Sequence, residues 1–267
     1  MPLFNLLDYF PEAKGDGLNV TWAYEVDSKE RLAVALRSCV MMLESDVCMS
    51  NRSRFPVPVM GRSSATNGND LTLEEWLQEV LRLNNKGIRL IFRSTEVVEP
   101  ACRVLACVAD QLRGPLVLDA EILSGPGITL ASPVDAWTFL TLCRTRFPHS
   151  TISISWMLYP EVLEEEEDIC NKPGYSLEMV ERMVALVKEY SLIQPLMFPM
   201  EASHLKYSIP EVQRLVFQVP NSSLMIQSER DDSVIVEDLV LFRKSFGASQ
   251  TFYHLPEDVL KHFYSMT

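Results

Sequence analysis

Two pairs of carboxylate side chains are the residues of this sequence best placed to carry chemistry. Glu44 and Asp46 lie two residues apart near the end of the apolar run 39–48, and Asp119 and Glu121 end the run 115–121 with the same spacing. Side chains at positions i and i+2 of a strand point to the same face, so each pair converges on one face. Burying unpaired carboxylates is costly, so the pairs require a cation, hydrogen-bond donors or water. Four carboxylates without a nearby histidine fit a hard cation, and the sequence predicts Mg²⁺ or Ca²⁺, with no other cofactor indicated.

The same acids have a structural interpretation, in which they cap the loops after the strands or accept hydrogen bonds from loop amides. Of the four histidines, His254 is placed at the end of a strand, where a catalytic role and a loop-capping role are both open. Arg62, Arg89 and Arg93 are available to pair with the acids or bind an anion, although surface positions are the default expectation for arginine. The sequence has no nucleophile elbow and no evident Ser/His/Asp or Cys/His arrangement.

The elements that must position these acids alternate between strand and helix along the chain. Apolar, β-branched runs predict strands over residues 18–23, 39–48, 87–92, 115–120, 151–156, 195–200, 223–227 and 250–254, and each run is followed by a helical pattern. A helix between successive strands indicates a parallel sheet, and eight such units in this length predict a closed (β/α)8 TIM-type barrel. In such a barrel the working face lies at the carboxyl ends of the strands, where both carboxylate pairs fall.

Composition and charge narrow the class of protein. The chain has 267 residues, of which 47% are hydrophobic and 22% charged, as in ordinary globular proteins. The formal net charge of −12 marks an acidic protein and argues against a nucleic-acid partner. The sequence contains no apolar run long enough to span a membrane. Residues 1–15 have no basic n-region and are interpreted as a lead-in segment, followed by one barrel domain over residues 16–267.

Several short segments are weak signals singly and specific together. They are Val20-Thr21-Trp22, Met42-Leu43-Glu44-Ser45-Asp46-Val47, Leu71-Thr72-Leu73-Glu74-Glu75-Trp76-Leu77, Lys86-Gly87-Ile88-Arg89-Leu90, Asp119-Ala120-Glu121, Phe198-Pro199 and Val236-Glu237-Asp238-Leu239. In this order and spacing they resemble the menorin family, whose barrels look like those of glycerophosphodiester phosphodiesterases. The resemblance covers residues 16–263 and is nearest to the second, more diverged domain of a two-domain member. It implies a phosphodiesterase-like barrel.

The sequence departs from the family pattern at positions whose usual residues could transfer protons or bind a metal. The family's first strand usually ends Trp-x-His, and here the histidine position is Tyr24. The Met-Ala-His after the second strand becomes a segment ending in Arg62, and the Leu-Asp-Phe-Lys of the third strand has Ile91 and Arg93 at its acidic and basic positions. Both family histidines and one ligand-capable acid are therefore replaced, which removes groups suited to proton transfer or metal binding.

The later strands depart in the same direction. The family's Gly-Trp on strand five is Ser155-Trp156, its arginine on strand six is Glu201, and its tryptophan at the end of strand seven is Gln227. Trp22 and Trp156 are expected to line the pocket. Replacing an arginine by Glu201 makes the mouth repel a phosphodiester unless a metal neutralises the acids.

Three hypotheses about function follow. The first is a catalytically degenerate, phosphodiesterase-like barrel that acts as a binding or structural domain, for a protein or small-molecule ligand that the sequence does not identify. The second is a divalent-metal-dependent phosphodiester hydrolase with the four carboxylates as metal ligands and Tyr24 or Arg62 on the substrate. The third, a carbohydrate or lipid hydrolase with two carboxylates as acid and base, depends only on their pairing. The family resemblance indicates an extracellular location, whereas the lack of a signal peptide indicates the cytoplasm.

Overall fold

The structure, a computed structural model, describes residues 6–50, 54–62, 71–125, 132–157, 174–228 and 234–267, and the account below concerns these ranges. Nine strands form a single sheet. The strands are β1 (Trp22–Ala23), β2 (Met42–Met49), β3 (Pro58–Met60), β4 (Gly87–Phe92), β5 (Leu116–Ser124), β6 (Thr151–Met157), β7 (Leu196–Glu201), β8 (Ser222–Gln227) and β9 (Thr251–His254).

Eight of these strands are parallel, in the order β1-β2-β4-β5-β6-β7-β8-β9, and β3 pairs antiparallel with β2. Parallel neighbours need a crossover connection, and helices supply it between successive strands of the wall. The strands wrap into a nearly closed barrel with the helices outside, so the predicted (β/α)8 TIM-type fold is confirmed. The carboxyl ends of all eight parallel strands therefore meet at one mouth.

The helical layer follows from amphipathic patterns and local caps. Asp27 and Glu30 suggest an N-cap for the first helix, but the structure caps it with Ser28. A capping box between Thr72 and Glu75, which the spacing of these two residues predicts, starts the second helix. Pro210 predicts a break in the helical pattern over residues 204–219, and the structure confirms the break. One short helix ends at Leu205 and the next begins at Ile209, with Pro210 in its first turn, where a proline fits. The helices are α1 (Lys29–Arg37), α2 (Leu73–Leu83), α3 (Thr95–Ala106), α4 (Ala136–Arg146), α5 (Leu177–Glu189), α6 (Ala202–Leu205), α7 (Ile209–Gln218), α8 (Val236–Phe246) and α9 (Glu257–Met266). Among the described helices none is long and apolar enough to cross a membrane.

Both faces of the barrel wall are buried, and alternate residues on each strand serve different cores. On β4, Ile88, Leu90 and Phe92 pack with the helices in the larger hydrophobic cluster. The residues between them face the barrel interior, where Met42 and Val117 belong to a second, smaller cluster. The inner face is therefore apolar near the start of the strands and polar toward the mouth.

The first strand is shorter than predicted, because residues 17–19 form a 3₁₀ turn and β1 contains only Trp22 and Ala23. At Gly17 a Cβ atom would lie 2.2 Å from the Thr251 carbonyl oxygen, so glycine lets this turn approach the last strand closely. Leu6 and Phe10, in the expected lead-in segment, pack into the smaller cluster at the amino ends of the strands. This segment closes the floor of the barrel opposite the mouth.

Candidate functional site: an ion-pair network in the barrel interior

Arg89 lies at the centre of the polar part of the barrel. Its side chain is 2% exposed, and its Nη1 donates a hydrogen bond of 2.7 Å to Glu44 Oε2. Its Nη2 and Nε donate to Asp119 Oδ2 at 2.8 and 3.3 Å. Because β4 lies between β2 and β5 in the sheet, this guanidinium bridges carboxylates from the strands on either side. The default expectation of a surface position is therefore wrong for Arg89.

The charges of this buried group depend on one another. Burial raises the pKa of the Glu44 carboxyl, and Arg89 opposes that rise, while the neighbouring acids Asp119 and Asp46 add to it. Burial also works against the charge of Arg89, but Asp119 and Glu44 raise the pKa of its guanidinium overall. Ser153 Oγ donates a further hydrogen bond to Asp119. A cation between two buried carboxylates is the arrangement that keeps both acids compatible with burial.

A second group of ion pairs lies one layer closer to the mouth. Arg93 contacts Asp46 and reaches Glu121, with its Nη1 3.5 Å from Glu121 Oε1. Arg62 Nε lies 3.3 Å from the other carboxylate oxygen of Asp46. Burial raises the pKa of Glu121, whereas Arg93 opposes the rise. The four acids thus converge as predicted, but guanidinium groups lie between them.

The strand register places one apolar residue, Ile91, within this polar layer. Asp46 is the β2 neighbour of Ile91, and Asp119 is its β5 neighbour. Ile91 therefore occupies the middle of a row whose two flanking positions are acidic, and it adds no oxygen to the row. The two aspartates are instead contacted by Arg89, two residues before Ile91 on β4, and by Arg93, which lies just past the end of that strand.

Two stacked aromatic rings lie beside Glu44, where the first and last strands meet. Tyr24 and His254 stack with ring centroids 3.5 Å apart and planes within 3°, and Tyr24 Oη donates to the Tyr253 carbonyl oxygen at 3.2 Å. His254 Nδ1 lies 3.5 Å from Glu44 Oε1. Burial, with Arg89 nearby, lowers the pKa of His254 to about 3, so the ring is neutral at physiological pH. Burial and Glu44 raise the pKa of Tyr24. Neither ring is tuned to exchange protons near neutral pH.

At the carboxyl ends of β7 and β8, Glu201 forms hydrogen bonds with two neutral side chains. Gln227 Nε2 donates to Glu201 Oε1 at 2.6 Å, and the Glu201 backbone N–H donates to Tyr175 Oη at 2.8 Å. Burial raises the pKa of Tyr175. Glu201 and Gln227, which the family resemblance predicts to be changed positions, are neighbours on β7 and β8 and partner each other.

The two tryptophans predicted to line the pocket occupy different environments. Trp22 lies inside the barrel in the smaller cluster, near the floor, with its ring 6.5 Å from that of Tyr24. Trp156 belongs to the larger, helix-side cluster and lies 5.2 Å from the ring of Tyr175. The structure thus brings Trp22 beneath the site, whereas Trp156 alternates away from the barrel interior.

The predicted Mg²⁺ or Ca²⁺ ion would require the four carboxylates as free ligands. Either ion requires about six or more oxygen ligands, several of them supplied by carboxylates that are free to turn toward the metal. Here each candidate ligand contacts a guanidinium, and a cation added beside Arg89 would meet its positive charge. Over the described ranges no group of three or more His, Cys, Asp or Glu residues is arranged to hold a metal. In this arrangement the residues do not fit the ion, and the metal site stays a prediction.

The fold places this chain in a structural class, the (β/α)8 TIM-type barrels. Two solved glycerophosphodiester phosphodiesterases from Parabacteroides distasonis share the fold. One has a TM-score of 0.53 at 14% identity over 92% of this chain and 96% of that one, and the other 0.54 at 10% identity over 100% and 94%.

Sequence comparison then gives the family. The model of the Menorin N-terminal domain matches residues 16–260, so this chain belongs to the menorin family, as the motifs indicate. It is 35% identical to human "Protein FAM151B" over 260 residues, which covers 95% of this chain and 90% of that protein. The nearer resemblance to the second, more diverged domain of a two-domain member stays a prediction.

Proposed function

We propose that this chain is a catalytically degenerate member of the phosphodiesterase-like barrels, and that it acts as a binding or structural domain. The observation that carries the proposal is the pairing of all four candidate metal ligands with arginine. Glu44 and Asp119 share Arg89, while Asp46 and Glu121 share Arg93. Acids engaged in this way serve the stability of the barrel interior and are not free to bind a metal or to exchange protons.

Proton chemistry gives independent support. A general acid or base is most effective when its pKa lies near the working pH. Burial lowers the pKa of His254 to about 3 and raises that of Tyr24, so both rings stay neutral across the physiological range. The two rings therefore keep one protonation state and fixed hydrogen bonds, which suits recognition more than turnover.

The mouth retains polar groups that a ligand is able to reach. The Arg62 side chain is 61% exposed, and those of Arg93, Glu121 and His254 are each about one-third exposed. Acids and arginines of this layer together offer both signs of charge. Such a surface matches a polar ligand that carries both hydrogen-bond donors and acceptors, in place of a bare phosphodiester.

Turnover and metal binding test the proposal against an active hydrolase. The chain is incubated with glycerophosphodiesters and bis(p-nitrophenyl) phosphate in Mg²⁺, Ca²⁺ or a chelator, and isothermal titration calorimetry measures binding of each ion. We expect hydrolysis at the rate of the buffer blank and no saturable heat. Metal-dependent turnover that Glu44→Gln abolishes, while the surface control Glu99→Gln keeps it, would overturn the proposal and establish the metal-dependent phosphodiester hydrolase.

A further inference from the structure

Glu44 and Asp119 form a pocket that the Arg89 guanidinium fills, and this pocket has the geometry of a cation-binding site. Its two carboxylates come from β2 and β5, and their side chains are 6% and 4% exposed. Each acid points an oxygen at the same planar group, at 2.7 and 2.8 Å. Ser153 also donates to Asp119, which fixes the direction of that carboxylate.

The occupant is a side chain and not a diffusible ion. Arg89 enters from β4, the strand between the two that supply the acids, and presents one Nη to each carboxylate. A guanidinium suits this task because its donors form a rigid planar fork that spans the two carboxylates, whereas a lysine ammonium carries its three donors on a single nitrogen and presents no such fork.

We propose that Glu44 and Asp119 form a site for a guanidinium-class cation, that Arg89 is its covalently tethered occupant, and that the site accepts a soluble guanidinium when Arg89 is shortened. The inference concerns the barrel interior alone and holds whether or not the chain hydrolyses a phosphodiester. Turnover by the wild-type protein would contradict the proposed function, whereas the rescue experiment below tests the cation site.

Chemical rescue tests the site. Arg89→Ala removes the guanidinium and leaves two buried carboxylates facing an empty space, so we expect its melting temperature to fall by on the order of 10 °C. Methylguanidinium chloride at about 20 mM, added before refolding, is expected to restore at least half of the loss, and the restored fraction should grow with concentration as ligand linkage requires. Sodium chloride at equal ionic strength should restore much less, because screening acts weakly on buried charges.

Two further variants make the result specific. Arg89→Ala combined with Glu44→Gln removes one of the two acids and should lose the response to methylguanidinium. Arg103→Ala removes an arginine whose side chain is 74% exposed and paired with Glu99, and it should neither lower the melting temperature nor respond to the compound. Rescue of the double variant to the same extent as the single variant would overturn the proposal, because binding would then be independent of the pocket.

Other outcomes also decide the question. If Arg89→Ala does not fold without additive, recovery of its near-ultraviolet circular dichroism with methylguanidinium, and not with sodium chloride, supports the site. Equal recovery with sodium chloride overturns it. Recovery with Mg²⁺ or Ca²⁺ but not with methylguanidinium also overturns it, since the pocket would then select a metal ion and not a planar organic cation.

Discussion

Replacing the whole buried ion group should cost far less stability than removing its cation alone. Arg89→Met keeps most of the apolar stem and deletes the guanidinium, which leaves Glu44 and Asp119 buried without their partner. The triple variant Arg89→Met, Glu44→Gln, Asp119→Asn removes all three charges and keeps side chains of similar size. Buried ion groups behave differently in these two cases, because an uncompensated buried charge is expensive and a neutral replacement is not.

The expected magnitude follows from the contacts. Arg89 makes three charge-assisted hydrogen bonds, at 2.7, 2.8 and 3.3 Å. At about 1.5–3 kcal/mol each, the three bonds would sum to more than the removal of one ion-pair partner usually costs. The sum is an overestimate, because the energies of neighbouring interactions are not additive. Measured losses for removing one partner of a buried pair are about 3–5 kcal/mol. We therefore expect Arg89→Met to lose about 4 kcal/mol, and the triple variant to lie within about 2 kcal/mol of the wild type.

Urea denaturation at two pH values gives the decisive measurement. In the native protein burial already raises the pKa of Glu44, and Arg89 opposes that rise. Without the guanidinium the folded-state pKa rises further above the unfolded value, so the folded variant gains stability as pH falls and Glu44 takes up a proton. The loss in Arg89→Met should thus be larger at pH 8 than at pH 5. A loss no greater than that of the exposed control Arg103→Met, or a triple variant as unstable as the single one, would refute the reasoning.

Two further predictions concern other buried polar groups. Because burial lowers the pKa of His254 to about 3, below its ordinary 6.5, the unfolded chain binds more protons than the folded one between these values, and stability is lost as pH falls through this window. The free energy of unfolding of His254→Phe, relative to the wild type, should therefore rise by about 2–3 kcal/mol when the pH is lowered from 7.5 to 4.5. The variant His149→Phe, at an exposed position, should show no such rise, and urea unfolding at both pH values measures the difference. Lys86 Nζ donates to the carbonyl oxygens of Ser38 and Val40, at 2.7 Å each. Lys86→Met should cost about 2 kcal/mol in the same assay, because both carbonyls lose their donor, and a cost below about 0.5 kcal/mol would contradict this role.

Much of the scaffold is predictable from local sequence. The strand predicted over residues 87–92 has those bounds in the structure, and the capping box at Thr72 starts α2. Hydrophobic period and helix capping are local properties, so neighbouring residues are enough to reveal them. The convergence of Glu44 and Asp119 was also predictable, because strand order in a parallel barrel follows the order of the chain.

The partners of the acids were harder to predict. Arg89 stands within the run Gly87-Ile88-Arg89-Leu90-Ile91-Phe92, and both faces of that strand are buried, so its period does not tell which face meets the helices. The burial of an arginine depends on acids from two other strands at the right level. A charged residue within a six-residue apolar strand is nevertheless a usable signal, since an arginine is almost never fully buried without a partner.

The pairing of Tyr24 with His254 depends on contacts that no local pattern records. Tyr24 directly follows the first strand and His254 ends the last one, so their rings meet only when the barrel wraps around. The family resemblance implies that Tyr24 replaces a histidine, but it does not indicate that a histidine from the other end of the chain stacks upon it. Tertiary structure is needed for that observation.

The join between β1 and β9 gives the barrel a built-in weak line. Every other neighbouring pair of parallel strands shares a ladder of backbone hydrogen bonds, whereas within the described ranges these two are connected through side chains and turns. Tyr24 Oη reaches the Tyr253 carbonyl oxygen across this join, and Tyr264 Oη holds the Leu18 carbonyl oxygen at 2.5 Å. Because no backbone ladder of the described residues crosses this join, we expect the wall to separate there first when thermal fluctuation widens the barrel. The stacked rings of Tyr24 and His254 connect the two strands at the mouth. We therefore expect these two side chains, which shape the mouth, to oppose the separation of β1 from β9 as well.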